Sequence, residues 1–359
     1  MTASEQQHSD PARHSATAGR PAVLALDIGG TKLAAGVVRS DGAVLSYETC
    51  PTGVTDGPAA GLDRLFALAR AALAGQPPGQ QLLGTGIGCG GPLDSVRGRL
   101  ISPPHLPGWT DIPLTSLAED AFGMPAVLDN DGTAGAAGEW RFGAGRGTRH
   151  LLYLTISTGI GGGMVVDGRT YRGAAGNGGE PGHVTVRSDG RRCASCGRAG
   201  CLEAYASGTS IAERALEAAE SATRDGEATT LAGRETLTAA EVAQAVRDGD
   251  PVACRVWQET TETLGSGLVS LVNLFEPGLV VLGGGVLRSG DLLLSPLRES
   301  VARLAMGPAA AAARIVPAAG GEQAGLLGAA AIAFERLPQQ PAPADGADRT
   351  DRTPLTREL

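Results

Sequence analysis

Near the start of the chain, apolar segments alternate with short polar or glycine-containing turns. An apolar run over 22–28 is followed by Gly29-Gly30, a second run over 33–38, an Asp41-Gly42 turn and a third run over 43–47. Glycine pairs and Asp-Gly pairs between apolar runs are typical of hairpin turns. The pattern therefore predicts three antiparallel strands joined as a meander.

A second series of the same kind begins at residue 151. An apolar run over 151–156 leads into a glycine-rich turn over 157–163, then a run over 164–166, an Asp167-Gly168 turn and a strand that starts at 169. Two copies of one pattern indicate a duplicated unit. The expected fold class is α/β, with two similar lobes built on mixed sheets.

Between and after these strands, apolar residues recur at helical spacing. The predicted helices are 58–74, 134–140, 207–219, 238–247, 251–275 and 325–336. Residues 1–20 and 338–359 are polar and aperiodic, so both are predicted to be disordered tails. The rest is predicted to form a small lobe over 21–131, completed by the C-terminal helix 322–336, and a large lobe over 132–321.

Composition narrows the functional class. Glycine accounts for 54 of 359 residues, about twice its usual share of ~7%, so many glycines are expected at tight turns or close to ligands. The formal net charge of -8 argues against a nucleic-acid or anionic-membrane surface. No apolar segment is long enough for a membrane span and no signal peptide is visible, so we expect a cytoplasmic protein.

Three glycine clusters follow apolar strands. The first, Asp27-Ile28-Gly29-Gly30-Thr31-Lys32, offers backbone N–H groups, a carboxylate suited to Mg²⁺ and two side chains that can reach phosphate oxygens. The second, Ser157–Gly163, has four glycines in seven residues, and the third is Gly283-Gly284-Gly285. Each is a candidate nucleotide-binding loop, and an ordinary turn without a ligand is the alternative.

Asn130 and Asp131 stand at a predicted strand-to-helix junction. A single polar residue there serves as a helix N-cap, which is the alternative explanation for both. Asp129-Asn130-Asp131 places three polar residues in a row, however, which is more than one cap needs. A carboxylate at this position can accept a proton from an attacking hydroxyl.

One histidine and three cysteines lie within 19 residues of each other: His183, Cys193, Cys196 and Cys201. Their types and spacing predict a tetrahedral Cys₃His zinc site, which is structural because it has no open position. Reduced cysteines without metal are the alternative. Glu180 and Glu203 flank this site and suit hydrogen bonds to a polyhydroxylated ligand, unless they are solvated surface glutamates. The other histidines, among them His105, lie in the tails or far away along the chain and are assigned no role.

Taken together, the motifs resemble those of a known family. The stretches that carry the resemblance are DIGGTK, GIGCGGPLD, LPGW, LDNDGTAGAAGE, STGIGGGMVVDG, GEPGH, CGRAGCLEAYASG and VVLGGGV. They occur in the order typical of the ROK family, which comprises bacterial repressors and sugar kinases. The resemblance covers about 22–336 and implies the actin-like, hexokinase-type ATPase fold, with a cleft between two lobes.

The resemblance also implies roles for individual residues. Asp131 would be the catalytic base that deprotonates a sugar 6-hydroxyl, and the sugar ligands would be Asn130, Asp131, Glu180, His183 and Glu203. ATP and Mg²⁺ would be bound at Asp27, Gly29, Gly30, Thr31, Lys32, Thr158, Gly159, Gly283, Gly284 and Gly285. His183 would bind zinc through one ring nitrogen and face the sugar with the other.

The predicted zinc knuckle over 183–203 departs from the family pattern at one point. The family usually has Cys-x-Cys-Gly, whereas the first cysteine here stands one residue earlier, in Cys193-x-x-Cys196, and Ala194 occupies the expected position. A one-residue bulge would still deliver the thiolate. Cys193 is therefore kept as a predicted zinc ligand.

The function implied is an ATP-dependent hexose 6-kinase acting on glucose or a related aminohexose, with kanosamine, N-acetylglucosamine and N-acetylmannosamine left open. A sugar-responsive transcriptional repressor is one alternative. It is disfavoured because about 20 polar residues precede the first strand, where such relatives carry a winged helix-turn-helix. A non-catalytic sugar sensor is the other alternative, and Asp131 with both phosphate loops argues against it. Family members are often dimers, so a homodimer also stays open.

Overall fold

The computed structural model of the protein describes residues 19–338. The predicted tails, 1–20 and 338–359, lie outside this range except at residues 19, 20 and 338. The strands are β1 (Ala22–Ile28), β2 (Lys32–Arg39), β3 (Val44–Pro51), β4 (Leu82–Cys89), β5 (Leu93–Asp94), β6 (Arg99–Leu100), β7 (Ala126–Asn130), β8 (Leu151–Ile156), β9 (Ile160–Val166), β10 (Arg169–Tyr171), β11 (Leu279–Gly283) and β12 (Arg314–Pro317).

The helices alternate with these strands and dominate the second half of the chain. They are α1 (Gly57–Ala74), α2 (Leu114–Phe122), α3 (Asp131–Arg141), α4 (Glu203–Ala206), α5 (Gly208–Arg224), α6 (Ala239–Arg247), α7 (Pro251–Phe275), α8 (Asp291–Leu304), α9 (Gly307–Ala312) and α10 (Ala324–Arg336). Short 3-10 turns occupy Val54–Asp56, Pro181–His183, Gly285–Ser289 and Gly321–Gln323. Within residues 19–338, no helix is both long and apolar enough to cross a membrane.

Two five-stranded sheets share one topology. The first has the order β3-β2-β1-β4-β7 and the second the order β10-β9-β8-β11-β12. In each sheet, the first three strands along the chain are antiparallel neighbours. The two later strands are added in parallel. The predicted meanders and the predicted duplication of the α/β unit are both confirmed.

The glycine-rich stretch 157–163 differs from its prediction as a single turn. Only Ser157, Thr158 and Gly159 lie between the strands, and β9 already begins at Ile160. Gly161 pairs with Thr155 and the next two glycines continue the ladder. Gly163 has no room for a side chain because a helix packs directly on it, and Gly162 has none because Pro181 lies against it. A Cβ on Gly161 would make only an ordinary contact with Thr155.

That helix is α3, which follows the last strand of the first sheet but covers the second sheet. Ala136 of α3 shares a buried cluster with Leu151, Tyr153 and Val165 of the second sheet. A Cβ built on Gly163 would lie 2.9 Å from the Cβ of Ala136. The close approach of α3 therefore depends on the missing side chain of Gly163.

Helix α10 makes the reciprocal connection. It follows β12 of the second sheet, yet Leu326 and Ala329 of α10 are buried against Val23 and Ala25 of the first sheet. The two helices also pack on each other through a cluster of small and apolar residues, Ala134, Ala137, Ala331 and Ile332. Each sheet is thus covered on one face by the helix that ends the other unit.

The remaining faces are covered by helices of the same unit. In the first unit, Leu65, Trp109 and Leu114 belong to the core beneath α1 and α2. In the second unit, Leu264 and Leu268 of the long helix α7 lie at the centre of a larger core. The exact division into lobes at 131/132 and 321/322 stays a prediction.

Candidate active site

The turn between β1 and β2 contains the first predicted phosphate loop. The N–H of Gly29 donates to the carbonyl of Lys32 at 3.0 Å, which closes the turn. Thr52 holds it from the side, because its hydroxyl donates to the carbonyl of Gly29 at 2.6 Å and its N–H to the carbonyl of Thr31 at 3.0 Å. Thr31 and Lys32 are exposed at the tip. The loop is thus fixed by its backbone, while Thr31 is exposed at the tip and the Lys32 ammonium donates to the Tyr47 hydroxyl at 3.4 Å.

Asp27 lies at the base of this loop, at the end of β1. Desolvation, and then the negative charge of Asp131, raise the pKa of Asp27 to about 6, and the Lys32 ammonium opposes this rise. Gly325 in the first turn of α10 lies so close that a Cβ there would collide with the Asp27 carboxylate. Two neighbouring carboxylates, one of which raises the pKa of the other, suit a divalent cation, and Mg²⁺ binds proteins through one or two carboxylates plus phosphate oxygens. The residues present therefore fit the predicted Mg²⁺ site.

The turn between β8 and β9 contains Thr158 and Gly159 and occupies the equivalent position in the second sheet. The N–H of Ser157 donates to the carbonyl of Gly159 at 2.9 Å, and the N–H of Gly208 donates to the carbonyl of Ser157 at 2.6 Å. The third glycine cluster starts at the end of β11, where Gly284 lies against the backbone of Ile156 with φ 92. The structure therefore brings the second loop and Gly283-Gly284-Gly285 together.

Asn130 and Asp131 form the N-terminus of α3. The Asn130 side chain caps the helix by accepting a hydrogen bond from the N–H of Gly132 at 2.8 Å, and the Asp131 carboxylate accepts from the same N–H at 2.8 Å. Asp131 is accessible from solvent in the cleft. Desolvation by the surrounding protein nevertheless raises its pKa, while the Gly132 N–H and the charge of His105 lower it.

Glu180 precedes the 3-10 turn Pro181–His183. Desolvation, followed by the charges of Asp131 and Glu203, raises the pKa of Glu180 to about 6. Carboxylates influence each other in this way only over short distances, because solvent and salt screen longer ones. The cleft therefore gathers Asp131, Glu180 and Glu203, which are separated along the chain.

The predicted zinc ligands meet below Glu180. One ligand atom from each of His183, Cys193, Cys196 and Cys201 lies within 4.8 Å of the others. The Cys196 and Cys201 sulfurs are 3.5 Å apart, and the Cys193 sulfur is 3.9 Å from Nδ1 of His183. A tetrahedral zinc ion with ordinary bond lengths separates such atoms by about 3.5–3.8 Å. The donor set fits zinc, with Cys193 in place despite its shifted position along the chain.

Glu203 connects this knuckle to the second loop. Its Oε2 accepts a hydrogen bond from the N–H of Ile160 at 2.7 Å. Its Oε1 accepts from the Ser195 hydroxyl and, at 3.3 Å, from the Cys193 thiol. Both oxygens have protein partners, so the structure places Glu203 as a support between the knuckle and β9. Its predicted contact to a sugar stays a prediction.

Sequence reasoning missed an ionic network behind the turn that carries Asn130 and Asp131. Arg172, which follows β10, donates from Nε to Asp129 at 2.7 Å and from Nη2 to Glu335 of α10 at 3.1 Å. Asp129 is fully buried, and its other oxygen accepts from the N–H of Asn130 at 3.1 Å. The network joins three segments that are remote along the chain, and no local motif announces it.

His105 is the second residue that sequence reasoning missed. It is half-buried in the loop between β6 and α2, close enough to Asp131 for the two groups to influence each other's pKa. His105 is far from the other candidate residues along the chain, and only the fold brings it into the cleft.

Comparison with known proteins adds to this geometry. The family model described as "ROK family" matches residues 23–336. A glucokinase of Streptomyces coelicolor is 36% identical over 319 residues, which cover 88% of this chain and 98% of that protein. The ROK hexokinase structure from Thermus thermophilus has 36% identity and a TM-score of 0.73, covering 88% of this chain and 98% of that one. The ROK glucokinase of Streptomyces griseus in complex with glucose and AMPPNP has 35% identity and a TM-score of 0.69, with coverages of 88% and 99%.

Proposed function

Because the chain belongs to the ROK family, we propose that it is an ATP-dependent kinase that phosphorylates the 6-hydroxyl of glucose or a related aminohexose. The fold is the actin-like, hexokinase-type ATPase fold, as predicted. The glucokinase relatives and the complex with glucose and AMPPNP support both substrates of this reaction.

One observation carries the proposal: a carboxylate stands at the start of a helix, open to the cleft, between two loops that suit phosphates. Asp131 is held by the Gly132 N–H, and its pKa is raised. A raised pKa makes a carboxylate a better proton acceptor, and a general base contributes about 10²–10⁴-fold to a rate. Asp131 accepts the proton of the sugar 6-hydroxyl as its oxygen attacks the γ-phosphorus.

The other residues of the cleft position the two substrates. Asn130, Glu180 and His183 bind sugar hydroxyls, with the Nε2 of His183 facing the sugar while Nδ1 faces the zinc ligands. The loops at 29–32, 158–159 and 283–285 hold the nucleotide. Mg²⁺, held near Asp27, neutralises phosphate charge when bound. Most of the rate enhancement in such reactions comes from positioning and charge neutralisation.

Zinc has a structural role in this proposal. The Cys₃His set leaves no open coordination position, so the metal fixes the backbone of 183–203 rather than the substrate. Glu203 transmits that rigidity to β9 through the N–H of Ile160. We further propose a cytoplasmic enzyme that uses no nucleic acid, and a homodimer stays open as its assembly.

A coupled ADP-release assay tests the function. Glucose, kanosamine, N-acetylglucosamine and N-acetylmannosamine are each supplied with ATP, in the presence and absence of Mg²⁺. GTP and polyphosphate release no ADP, so with these donors the sugar phosphate formed is measured instead. We expect Mg²⁺-dependent release of ADP with glucose or an aminohexose. If none of these sugars stimulates ADP release and the protein instead retains a specific DNA fragment in a gel shift, the kinase proposal is wrong and the repressor alternative is right.

The variant Asp131→Asn tests the role of the base. It keeps the size of the side chain but cannot accept the hydroxyl proton, so kcat is expected to fall by about 10²–10⁴-fold. Calorimetry should find sugar affinity within a few-fold of the wild type, because Asn130, Glu180 and His183 remain. Near-normal turnover in this variant would remove Asp131 from the mechanism.

A further inference from the structure

His105 is a polar side chain in the cleft that the proposed mechanism does not use. Its backbone is fixed by its neighbours, since Leu106 and Trp109 are each 1% exposed in the core of the first unit. The N–H of Leu106 donates to Pro103 at 3.0 Å and that of Trp109 to Leu106 at 3.1 Å. The imidazole is therefore presented from a rigid loop rather than a mobile one.

The ring lies between two loops that lie beside different substrates in the proposed function. A Cβ built on Gly30, in the first phosphate loop, would lie 3.2 Å from the Cβ of His105. A Cβ on Gly90 would lie 3.0 Å from Nε2 of the same ring. The next residue, Gly91, approaches the Asn130 side chain, from which a Cβ would be 3.3 Å away. His105 thus bridges the phosphate loop and the turn beside the predicted sugar ligand.

Neither ring nitrogen of His105 has a hydrogen-bond partner within residues 19–338. The side chain is only half-buried, so water or a ligand can supply a partner. Burial in the cleft lowers the pKa of His105, although the charge of Asp131 opposes this. At neutral pH the ring is then an uncharged imidazole with one N–H donor and one acceptor nitrogen.

We propose that His105 is a catalytic residue that donates a ring N–H to an oxygen of the phosphoryl group in transfer. This rests on the proposed sugar-kinase function. Of the two ligands that meet at the ring, the phosphoryl group carries the charge that needs stabilisation. The sugar hydroxyls already have Asn130, Glu180 and His183 as hydrogen-bond partners in the proposed function. A fixed donor aimed at such an oxygen stabilises the transition state more than the ground state.

The step balances without any added reactant. The sugar 6-oxygen forms a bond to the γ-phosphorus, and the bond from that phosphorus to the β–γ bridging oxygen breaks, with its electron pair leaving on ADP. The hydroxyl proton passes to Asp131. His105 keeps its proton throughout and acts only as a hydrogen-bond donor.

The test compares His105→Ala and His105→Asn with the wild type and with His150→Ala. His150 is a matched control, because it is an exposed histidine 3.6 Å from Asp167 at the far end of β8. We expect kcat to fall about 10²-fold in His105→Ala, the lower end of the effect of removing one oxyanion donor. The KM for sugar and for ATP should change less than about threefold. His105→Asn, which retains an N–H donor, should recover part of kcat, and His150→Ala should match the wild type.

Three results would overturn the inference: unchanged kcat in His105→Ala, a loss of sugar affinity at constant kcat, or equal loss in the Asn and Ala variants. Thermal unfolding of each variant shows whether a loss of activity comes from a folding defect. His105→Gln, which keeps both bulk and an N–H donor, replaces any variant that unfolds at a much lower temperature than the wild type. The two proposals fail separately. A wild type without kinase activity removes the function, whereas an active wild type with an equally active His105→Ala removes only the role of His105.

Discussion

Helices α3 and α10 cross between the two units, and both begin in the cleft beside a carboxylate. In α3 the carboxylate is its own first residue, Asp131, and the cap is the preceding Asn130. In α10 no side chain caps the N-terminus, and the nearby carboxylate is that of Asp27, which lies against Gly325 from β1. A negative group near a helix N-terminus is stabilised by the helix dipole in either case.

The difference between these helix starts lies in where the charge comes from. The α3 carboxylate is local, so its position depends on a few consecutive residues. The α10 carboxylate comes from the other end of the chain, so its position depends on how closely α10 packs on the first sheet. We therefore expect the nucleotide side of the cleft to be more sensitive to helix packing than the sugar side.

The largest effect should come from Gly325→Ala. The new Cβ collides with the Asp27 carboxylate, and a displacement of about 1 Å in such a group can cost about 10²-fold in rate. We expect kcat/KM for ATP to fall about 100-fold while sugar affinity stays within about threefold, as measured by steady-state kinetics and calorimetry. Gly307→Ala is the control, because that glycine also begins a helix but has open space around it. Normal ATP kinetics in Gly325→Ala would mean that the two helix starts do not differ in this way.

A smaller effect is expected near the C-terminal end of α3, which contacts the segment leading to α10. Glu139 of α3 is 4% exposed, and its Oε1 accepts the N–H groups of Ala319 and Gly320, which lead towards α10, at 2.9 and 2.8 Å. Glu139→Gln weakens these charge-assisted bonds and turns an amide donor towards other donors. Urea unfolding should give a loss of about 2 kcal/mol.

Glu299→Gln is the matched control for this variant, since Glu299 is an exposed glutamate on α8. Its free energy of unfolding should stay within about 0.5 kcal/mol of the wild type. If Glu139→Gln behaves in the same way, the contact of Glu139 with Ala319 and Gly320 does not stabilise the packing of α3 beside α10.

The smallest effect concerns the N-cap of α7, a helix that packs within the second unit. Asp250 is 5% exposed and accepts the N–H groups of Val252 and Ala253 and the Thr230 N–H and hydroxyl. These bonds lower its pKa to about 2 against the opposing effect of burial. A folded-state pKa below the unfolded one stabilises the protein above the unfolded pKa of ~3.9, and this contribution is lost as the pH falls towards 2.

Asp250→Asn should therefore cost about 1–2 kcal/mol at pH 7. Urea unfolding at pH 7, 5, 4 and 3 should find this difference constant down to pH 5 and smaller below it. Asp225→Asn, at an exposed aspartate at the end of α5, should differ little from the wild type at any of these values. Kinase activity at pH 7 should be unchanged in both variants, in contrast to Gly325→Ala. A pH-independent difference for Asp250→Asn would contradict the role of its charge.

Much of the fold could be predicted because its signals are local. The predicted bounds of β1, β8 and α7 match the structure residue for residue, since apolar runs and a proline in the first helical turn mark them. The start of β9 was missed because glycine signals a turn when only the sequence is considered. Gly163 is required by α3, which arrives from the other unit, and Gly162 by Pro181, and no pattern within β9 contains that information.

The site shows the same limit. Asn130 and Asp131 could be found because capping residues stand next to the helix they begin. His105, Arg172 and the contact between Asp27 and Gly325 could not, because each depends on segments far apart along the chain. Cys193 lies between these cases: its spacing is irregular, and only the fold brings its sulfur within 3.9 Å of Nδ1 of His183.

The exchange of helices also determines when each unit can be completed during synthesis. The first sheet leaves the ribosome early, but Val23 and Ala25 are covered only by α10, about 300 residues later. Until then one apolar face of that sheet has no helix to cover it, and such surfaces promote aggregation and chaperone binding. A chain that stops before residue 324 would contain every strand of both sheets. It would still lack α10, which covers the sheet that was synthesised first.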